Sequence, residues 1–305
     1  MLKLQRLATL PVLEPDPGVS WEAAAVFNPA AARTGDRVVL IYRACSMSPS
    51  GLVSVLGYAE SRDGVSFRKW PHPVLRGEGA RESRGVEDPR LTYVEKRWWL
   101  VYTAYDGANV RVSAVWADRL APDSQWRDRR VLLEEQDKNG VLLPSRVGGE
   151  YVLYHRRYPG IWACRSADMA AWRDHRPVMA PRAGCWDCHH IGMGPPPVRV
   201  PGGWLALYHG ADSSGVYRLG VALLDASDPA VVLYRQEEPV LEPELSWERE
   251  GLVNNVVFAC GMVPVRDGWL VYYGAADTRV GLAWLSRAEV LRWLKAVRTR
   301  LQKAA

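Results

Sequence analysis

An apolar segment that ends in tyrosine recurs five times along the chain, and this repeat restricts the possible folds more than any other feature. The copies are Val38–Arg43, Trp98–Thr103, Tyr151–His155, Trp204–His209 and Trp269–Tyr273, with the repeated tyrosines at positions 42, 102, 154, 208 and 272. The copies are short, rich in β-branched and aromatic residues, and separated by segments containing Gly, Asp and Pro. This composition predicts a β-strand for each copy.

A second apolar element follows each copy. It is clearest in Tyr58–Gly64, which runs on to Phe67, and in Ile161–Asp168, which runs on to Trp172. Five such units predict an all-β fold, a five-bladed β-propeller, because radial repetition is a common way for antiparallel sheets to bury their faces. A β-sandwich or barrel is the alternative, but it does not need five similar copies at near-constant spacing. We expect a single domain over residues 1–305.

The inner strands of a propeller line a central channel, so equivalent strand ends converge on one pocket. The polar residues directly after the repeated tyrosines are therefore candidates to face that pocket: Arg43, Thr103, His155, His209 and Tyr273. The alternative is that they only form hydrogen bonds between blades.

The chain ends in one predicted helix, over about residues 286–303. Ser286 and Glu289 form a capping box, and apolar residues then recur at helical spacing: Val290, Leu291, Trp293, Leu294, Val297 and Leu301. We expect this face to pack against the propeller. A contact in a homo-oligomer is the alternative, and the oligomeric state is left open.

Charge and cysteine usage exclude several classes of protein. The net charge is +5, but the basic residues are dispersed apart from Arg292–Lys303, which argues against nucleic-acid binding. No run approaches the ~18 apolar residues of a membrane span, and Met1–Pro17 lacks the apolar core of a signal peptide. The five cysteines are unevenly spaced, which predicts a reducing, cytoplasmic location and no disulfide framework.

Several short segments are too polar, or too rich in Gly and Pro, to be ordinary strands. They are Phe27-Asn28-Pro29, Gly85–Arg90, His189–Pro197, Tyr217–Gly220, Asn254–Phe258 and Gly274–Asp277. In this order they resemble glycoside hydrolase family 130, the β-mannoside phosphorylases and related β-mannosidases. The resemblance extends from about Phe27 to Leu285, and it implies a five-bladed propeller independently of the repeat.

The resemblance implies that Asp88 is the general acid, which protonates the leaving oxygen indirectly through the 3-hydroxyl of the bound mannose. Burial beside Glu87 or Asp277 is expected to raise the pKa of Asp88, so that it holds the required proton. From the residues alone, a turn with a structural ion pair explains Asp88-Pro89-Arg90 better than catalysis does.

Other matching positions are assigned to the two reactants. Asn28, Arg43, Tyr102 and Asp277 would hold the mannose. A phosphorylase must also gather inorganic phosphate with Arg, Lys, His and Tyr donors. The positions that match this second set are Arg146, Arg156, His190, Tyr208 and His209.

The second set contains one departure from the family pattern, which usually has Lys where this chain has His190. Even so, Arg146 and Arg156 would repel each other in a pocket without an anion, and this favours phosphorolysis. The expected reaction is inverting and has no covalent intermediate: a β-linked manno-oligosaccharide and phosphate give α-mannose 1-phosphate. No metal or other cofactor is implied.

Two alternatives stay open. An inverting exo-β-mannosidase would use water and a base about 6.5–9.5 Å from the acid, and Glu248 is the candidate base. A non-catalytic glycan-binding propeller would explain the 14 Trp and 13 Tyr residues, but it does not need Asp88 opposite a set of arginines. The linkage and the acceptor sugar depend on loops that the sequence does not resolve.

Cys185–His189 fits the short pattern of haem attachment, and together with His190 it suggests a metal site. A tetrahedral zinc site usually needs a second pair of ligands, and no second Cys pair is present. We therefore expect no metal here, and a loop whose Trp186 and His190 face the active site.

Overall fold

The computed structural model describes residues 1–49 and 51–304, which form antiparallel strands and one long C-terminal helix. The strands group into five consecutive units, preceded by strand β1 (Gln5–Arg6). Unit 1 contains β2 (Ala25–Thr34), β3 (Arg37–Ser48), β4 (Gly51–Ser61) and β5 (Arg68–Lys69). Unit 2 contains β6 (Gly85–Val94), β7 (Arg97–Tyr105), β8 (Val110–Ala117) and β9 (Arg127–Leu133).

The remaining units continue the same order. Unit 3 contains β10 (Lys138–Leu142), β11 (Tyr151–Arg156), β12 (Ile161–Ser166) and β13 (Arg173–Met179). Unit 4 contains β14 (His190–Met193), β15 (Val198–Val200), β16 (Gly203–Ala211), β17 (Tyr217–Leu224) and β18 (Val232–Arg235). Unit 5 contains β19 (Val257–Val265), β20 (Gly268–Ala275) and β21 (Arg279–Ser286). The helices are α1 (Ser246–Arg249), α2 (Arg287–Ala304) and a 3₁₀ turn (Ala80–Glu82).

Pairing within the units is antiparallel throughout. Units 1 and 2 share one sheet through a single parallel pair, Ser54 with Gly85, while units 3, 4 and 5 form separate sheets. The N-terminal strand β1 pairs with β21 and so supplies the outer strand of unit 5. The first and last parts of the chain are therefore held in one sheet.

The apolar core is divided among the contacts between units. One cluster of buried side chains lies between units 1 and 2, one between 2 and 3, one between 3 and 4, and one between 4 and 5. A fifth joins unit 5 to unit 1. Each unit therefore packs against two neighbours, which is how strands buried on both faces are stabilised.

A buried tyrosine recurs in the second long strand of four units, and its hydroxyl donates to a buried carboxylate. The pairs are Tyr42 with Glu22 at 2.8 Å, Tyr102 with Glu82 at 2.7 Å, Tyr208 with Asp187 at 2.9 Å, and Tyr273 with Glu248 at 2.7 Å. Each carboxylate also binds a basic side chain, namely Lys69, Arg129, Arg235 and Arg6. We call these the tyrosine–carboxylate pairs.

Packing around the tyrosine–carboxylate pairs repeats as well. Trp21, Trp186 and Trp247 each precede the carboxylate and stack on the tyrosine ring. Glycine lies across from the ring in the same units, and a Cβ at Gly57, Gly220 or Gly281 would lie 2.2–2.4 Å from a ring carbon. The ring thus occupies the space that a side chain would need.

In unit 5 the tyrosine of the repeat is Tyr273 and not Tyr272, so the prediction for this position is wrong. Two tyrosines are adjacent there, and the apolar pattern could not distinguish them. The residue that forms the pair is Tyr273, whereas Tyr272 donates its hydroxyl to the carbonyl of Gly64 at 2.6 Å. The residue after the repeated tyrosine is therefore Gly274, and Tyr273 does not face a pocket.

The C-terminal helix packs on unit 5 as expected. Val290, Trp293, Leu294 and Val297 are buried among its apolar side chains. Two other residues of the predicted apolar face differ: Leu291 is 48% exposed and Leu301 38% exposed.

All five cysteines are unpaired. Of the helices described, none combines the length and apolar character needed to cross a lipid bilayer.

Tyr102→Phe should lower the free energy of unfolding by about 1–3 kcal/mol, because it leaves a buried oxygen of Glu82 without its donor. Urea denaturation measures this. The matched control is Tyr93→Phe, since Tyr93 is 49% exposed and its variant should unfold like the parent protein. Equal stability of both variants would contradict a structural role for the tyrosine–carboxylate pairs.

Candidate active site

Three polar residues occupy the same place in the first strands of units 1, 2 and 3. Asn28, Asp88 and Asn139 have φ angles of 45°, 48° and 57°, and the strand register shifts at each of them. These are β-bulges, which bend a strand and redirect a side chain. Asn and Asp tolerate this left-handed backbone better than most residues.

The three bulges meet at one cavity, because β2 packs on β6 and β6 packs on β10. The cavity has a volume of about 130 Å³. Its lining is mostly polar and consists of Asn28, Arg43, Asp88, Lys138, Asn139, Arg156, Tyr217, Val253, Val256, Phe258 and Asp277.

Asp88 is held from several directions. Asn28 Nδ2 donates to its Oδ1 at 2.8 Å, and Arg43 Nη1 approaches the same oxygen at 3.3 Å. Arg43 Nη2 also donates to Glu87 Oε1 at 2.6 Å. The fully buried Arg90 donates from Nη1 to the Asp88 carbonyl at 2.8 Å.

The charge state of Asp88 differs from the prediction. Burial disfavours its charged form, but the guanidinium groups of Arg43 and Arg90 and the bond from Asn28 outweigh burial, and the pKa of Asp88 is lowered. The expectation of a raised pKa at Asp88 is therefore wrong for this arrangement of the pocket.

The raised pKa values belong to the two neighbouring carboxyl groups. Burial raises the pKa of Glu87. The positive charge of Arg43 opposes this effect, and the negative charge of Asp88 adds to it. Burial also raises the pKa of Asp277, to about 6. Here too the charge of Arg43 lowers the pKa and the charge of Asp88 raises it. Asp277 is thus the group in this cavity that can change protonation near neutral pH.

Two cations face these carboxyl groups without a carboxylate partner of their own. Within residues 1–49 and 51–304, neither Lys138 nor Arg156 forms a salt bridge. Burial lowers the pKa of both, and the charge of Arg156 lowers that of Lys138 further. Buried cations that repel each other are stabilised by an anion, so this side of the cavity is suited to bind one.

His190 lies beside the cavity rather than in its lining. Its Nε2 is 2.8 Å from the hydroxyl of Tyr217, which does line the cavity. Burial, and then the charge of Arg156, lowers the pKa of His190 to about 4. At pH 7 the imidazole is neutral, so it contributes a hydrogen bond but no charge.

His209 also lies next to the lining residues, in contact with Asn139 and Phe258. Its Nε2 is 3.1 Å from Asn139 Nδ2, and its Nδ1 is buried without a partner. Burial, with the charges of Arg90 and Arg156, keeps the pKa of His209 well below its ordinary value. The buried oxygens of Asn28 and Asn139 also lack donors, which suits a ligand rich in hydroxyl groups.

Arg146 is not brought to this cavity. It pairs with Glu95 at 2.8 Å and donates to the carbonyls of Gly149 and Ala167, in a separate groove lined by units 3, 4 and 5. Its placement in the phosphate set is wrong in this structure, because its guanidinium is engaged by these partners and does not line the cavity.

Three other predicted site residues belong to the tyrosine–carboxylate pairs. Tyr102 and Tyr208 are buried with their hydroxyls directed at Glu82 and Asp187, away from the cavity. Glu248 is fully buried.

Both oxygens of Glu248 are occupied. Oε1 accepts from Arg6 and Tyr273, and Oε2 accepts from Arg6 and the backbone amides of Glu244 and Leu245. Burial alone would raise the pKa of Glu248, but these donors lower it. The prediction of a catalytic base here is wrong, because neither oxygen reaches the cavity.

The loop at Cys185–His189 also differs from its prediction in part. Trp186 stacks on Tyr208 and donates from Nε1 to the carbonyl of Glu237 at 2.7 Å, so it does not face the cavity. Of the two residues predicted to face the active site, Trp186 and His190, only His190 lies next to the cavity.

Lys138 and Asn139 line the cavity but lie outside the sequence motifs, and Tyr217 opens the motif Tyr217–Gly220 without having been assigned a role. A signal was present, since Lys138-Asn139 precedes an apolar strand in unit 3 as Glu87-Asp88 does in unit 2. Aligning the first strands of the units, rather than the second strands, would have revealed it.

Comparison with known proteins supports one assignment. The profile of glycoside hydrolase family 130, described as β-1,4-mannooligosaccharide phosphorylase, matches residues 5–296. A β-1,2-mannobiose phosphorylase of Thermoanaerobacter sp. strain X514 is 45% identical over 303 residues, covering 95% of this chain and 99% of the relative. A 1,2-β-oligomannan phosphorylase of the same strain is 41% identical over 297 residues, with the same coverage of both chains.

Solved structures agree with the sequence comparison. The β-1,2-mannobiose phosphorylase of Listeria innocua, in complex with β-1,2-mannobiose, superposes with a TM-score of 0.87 at 25% identity. The match covers 96% of this chain and 99% of that one. With the profile and both relatives spanning nearly the whole sequence, this chain belongs to glycoside hydrolase family 130.

Proposed function

We propose that this protein cleaves β-linked manno-oligosaccharides by phosphorolysis and releases α-mannose 1-phosphate. The observation that carries the proposal is the pair of cations without carboxylate partners, Lys138 and Arg156, which line the same cavity as Asp88. A hydrolase has no need to keep two such charges together. The names of the two relatives above 40% identity support phosphorolysis and favour a β-1,2 linkage.

The two reactants would occupy opposite sides of the cavity. Asn28, Arg43 and Asp277 hold the mannose, and Lys138 and Arg156 hold the phosphate. Tyr217 completes the phosphate side as a neutral hydrogen-bond donor, with His190 positioning its hydroxyl from outside the lining and His209 behind Asn139.

The proposed step is a single displacement. A phosphate oxygen attacks the anomeric carbon as the bond from that carbon to the leaving oxygen breaks. Asp88 supplies the proton that the leaving oxygen takes up, in the family's manner through the sugar 3-hydroxyl. Attack from the face opposite the leaving group inverts the configuration and gives the α-phosphate.

Asp88 must be protonated at that moment, and the binding of the reactants explains how. Phosphate brings negative charge towards the carboxyl groups, which raises their pKa values. Mannose hydroxyls compete for Asn28 and Arg43, whose contacts keep the pKa of Asp88 low. Both changes favour the protonated acid only when the substrates are present.

Hydrolysis is the weaker candidate, because Glu248 is enclosed and cannot activate water. A non-catalytic glycan-binding protein would not require the cation pair.

We also propose that the five units form one domain, a five-bladed β-propeller over residues 1–305. This is supported by the apolar cluster that joins unit 5 to unit 1 and by the pairing of β1 with β21. A cytoplasmic location stays a prediction, as does the absence of a cofactor other than the co-substrate phosphate. Homo-oligomer formation stays open.

Replacing either cation tests the proposed function directly. Lys138→Met and Arg156→Met should each raise KM for phosphate roughly 10- to 100-fold, because a hydrogen bond to a charged group contributes about 1.5–3 kcal/mol. KM for the mannoside should change far less. Lys96→Met, in an exposed turn, is the matched control and should leave both values unchanged. Unaltered phosphate dependence in both cavity variants would refute the assignment.

Asp88→Asn should reduce turnover by about 10²- to 10⁴-fold, the usual contribution of a positioned general acid. The fold should survive, because an amide oxygen can still accept from Asn28. Initial rates measure the loss, and Asp128→Asn is the control, since Asp128 has a similar φ of 57° but is exposed. Turnover within a few-fold of the parent protein would exclude Asp88 as the acid.

Asp277→Asn should stabilise the protein at pH 7.5 by about 1–3 kcal/mol while impairing mannose binding. With a folded pKa of about 6, above its ordinary value of 3.8, Asp277 binds more protons in the folded than in the unfolded state between those values. Its contribution therefore becomes less favourable as pH rises from about 4 to about 6. Urea unfolding at pH 4 and 7.5 should show the gain only at the higher pH, and a gain of the same size at both would contradict the raised pKa.

A further inference from the structure

Three side chains able to bind a metal converge in unit 3, outside the cavity. His155 lies on β11, Cys164 on β12 and His175 on β13, three neighbouring strands of one sheet. One ligand atom from each lies within 4.8 Å of the other two. Cys164 pairs in register with Leu153, two residues before His155, so both side chains share a face of the sheet.

The spacing of the two imidazoles is close to that required by a tetrahedral ion. His155 Nε2 and His175 Nδ1 are 3.2 Å apart. Two nitrogens bound to zinc at its usual length, with tetrahedral angles, are separated by about 3.3 Å. A nitrogen and a thiolate sulfur on the same ion are about 3.6 Å apart, so a small shift of Cys164 would complete the geometry.

A buried carboxylate prepares one of these ligands. Asp137 Oδ2 is 2.5 Å from His155 Nδ1, and both side chains are buried. When Nδ1–H donates to Asp137, the lone pair lies on Nε2, which is the atom facing His175. Metal-binding histidines almost always have such a partner on the other ring nitrogen.

The site is reachable from solvent. A cavity of about 190 Å³ adjoins it, with His175 and Asp137 in its lining. An ion entering along this cavity would reach His175 first, with the buried His155 and Cys164 behind it. On binding, the ion would displace the proton of the Cys164 thiol.

We propose that His155 Nε2, His175 Nδ1 and Cys164 Sγ bind a zinc-class divalent ion, with water as the fourth ligand. Two imidazoles and one thiolate form a ligand set of intermediate softness that suits zinc. On binding, the thiol loses its proton to solvent and the sulfur–metal bond forms, with no change of oxidation state.

The ion would act on the structure of unit 3 rather than in the reaction. Asp137 Oδ1 accepts from the backbone amide of Arg156 at 2.8 Å, and Asp137 directly precedes Lys138. Fixing His155 therefore also fixes the carboxylate that joins the two cation-bearing segments. This location departs from the expectation of no metal, which rested on the Cys185–His189 loop.

Metal binding to the whole chain tests the proposal without reference to activity. After chelator treatment, equilibrium dialysis should return about one zinc per chain. Cobalt titration should give a thiolate-to-cobalt charge-transfer band. His175→Gln should weaken zinc binding at least 10-fold, and it is expected to fold because His175 is only half-buried. Cys164→Ser should abolish the charge-transfer band.

The competing cysteines provide the control. A Cys185→Ser/Cys188→Ser double variant should bind zinc like the parent protein, and zinc should raise the melting temperature of both. Added zinc should leave the melting temperature of the His175→Gln variant unchanged. Absence of stoichiometric binding, or loss of binding only in the double variant, would overturn the proposal.

Discussion

The hydrogen bond from a buried tyrosine to a buried carboxylate sets the position of the strands that carry the active site. In units 1 and 2 the carboxylate is Glu22 or Glu82, and the bulged residue, Asn28 or Asp88, follows six positions later. A buried carboxylate without donors is costly, so the tyrosine and the basic side chain that satisfy it hold the incoming segment in one place. The bulge that follows is thereby placed over the cavity.

Within the cavity, close packing and charge act together. A Cβ at Gly274 would lie 1.9 Å from Asn28 Oδ1, so glycine at this position lets unit 5 approach the bulge of unit 1. Arg43 then draws Glu87 and Asp88 towards one side. Lys138 and Arg156 line the same cavity without carboxylate partners, which is the arrangement that the proposed binding of phosphate requires.

The sequence predicted those features that depend on local pattern. Strands, turns and the terminal helix follow from periodicity and composition, and the order of the polar motifs indicated the family. What it could not provide was the direction of each side chain. Tyr208 and Arg146 have suitable chemistry for phosphate, but the first donates to the buried Asp187 and the second pairs with Glu95, outside the cavity lining. Lys138 is absent from the predicted site residues because it lies outside the polar motifs.

Charge states were beyond sequence reasoning for a related reason. The pKa of Asp88 depends on the balance between burial and the guanidinium groups of Arg43 and Arg90, and only the folded arrangement sets their distances. Adjacent acidic residues in the sequence suggested a raised pKa at Asp88. The fold instead places the raised values at Glu87 and Asp277.

The most direct test of phosphorolysis is to incubate the purified protein with β-1,2-mannobiose in the presence and absence of phosphate, and to follow the products by ³¹P and ¹H NMR. Phosphorolysis should give α-mannose 1-phosphate and mannose in equal amounts when phosphate is present, and almost no cleavage in its absence. Release of free mannose alone, at a rate independent of phosphate, would contradict it.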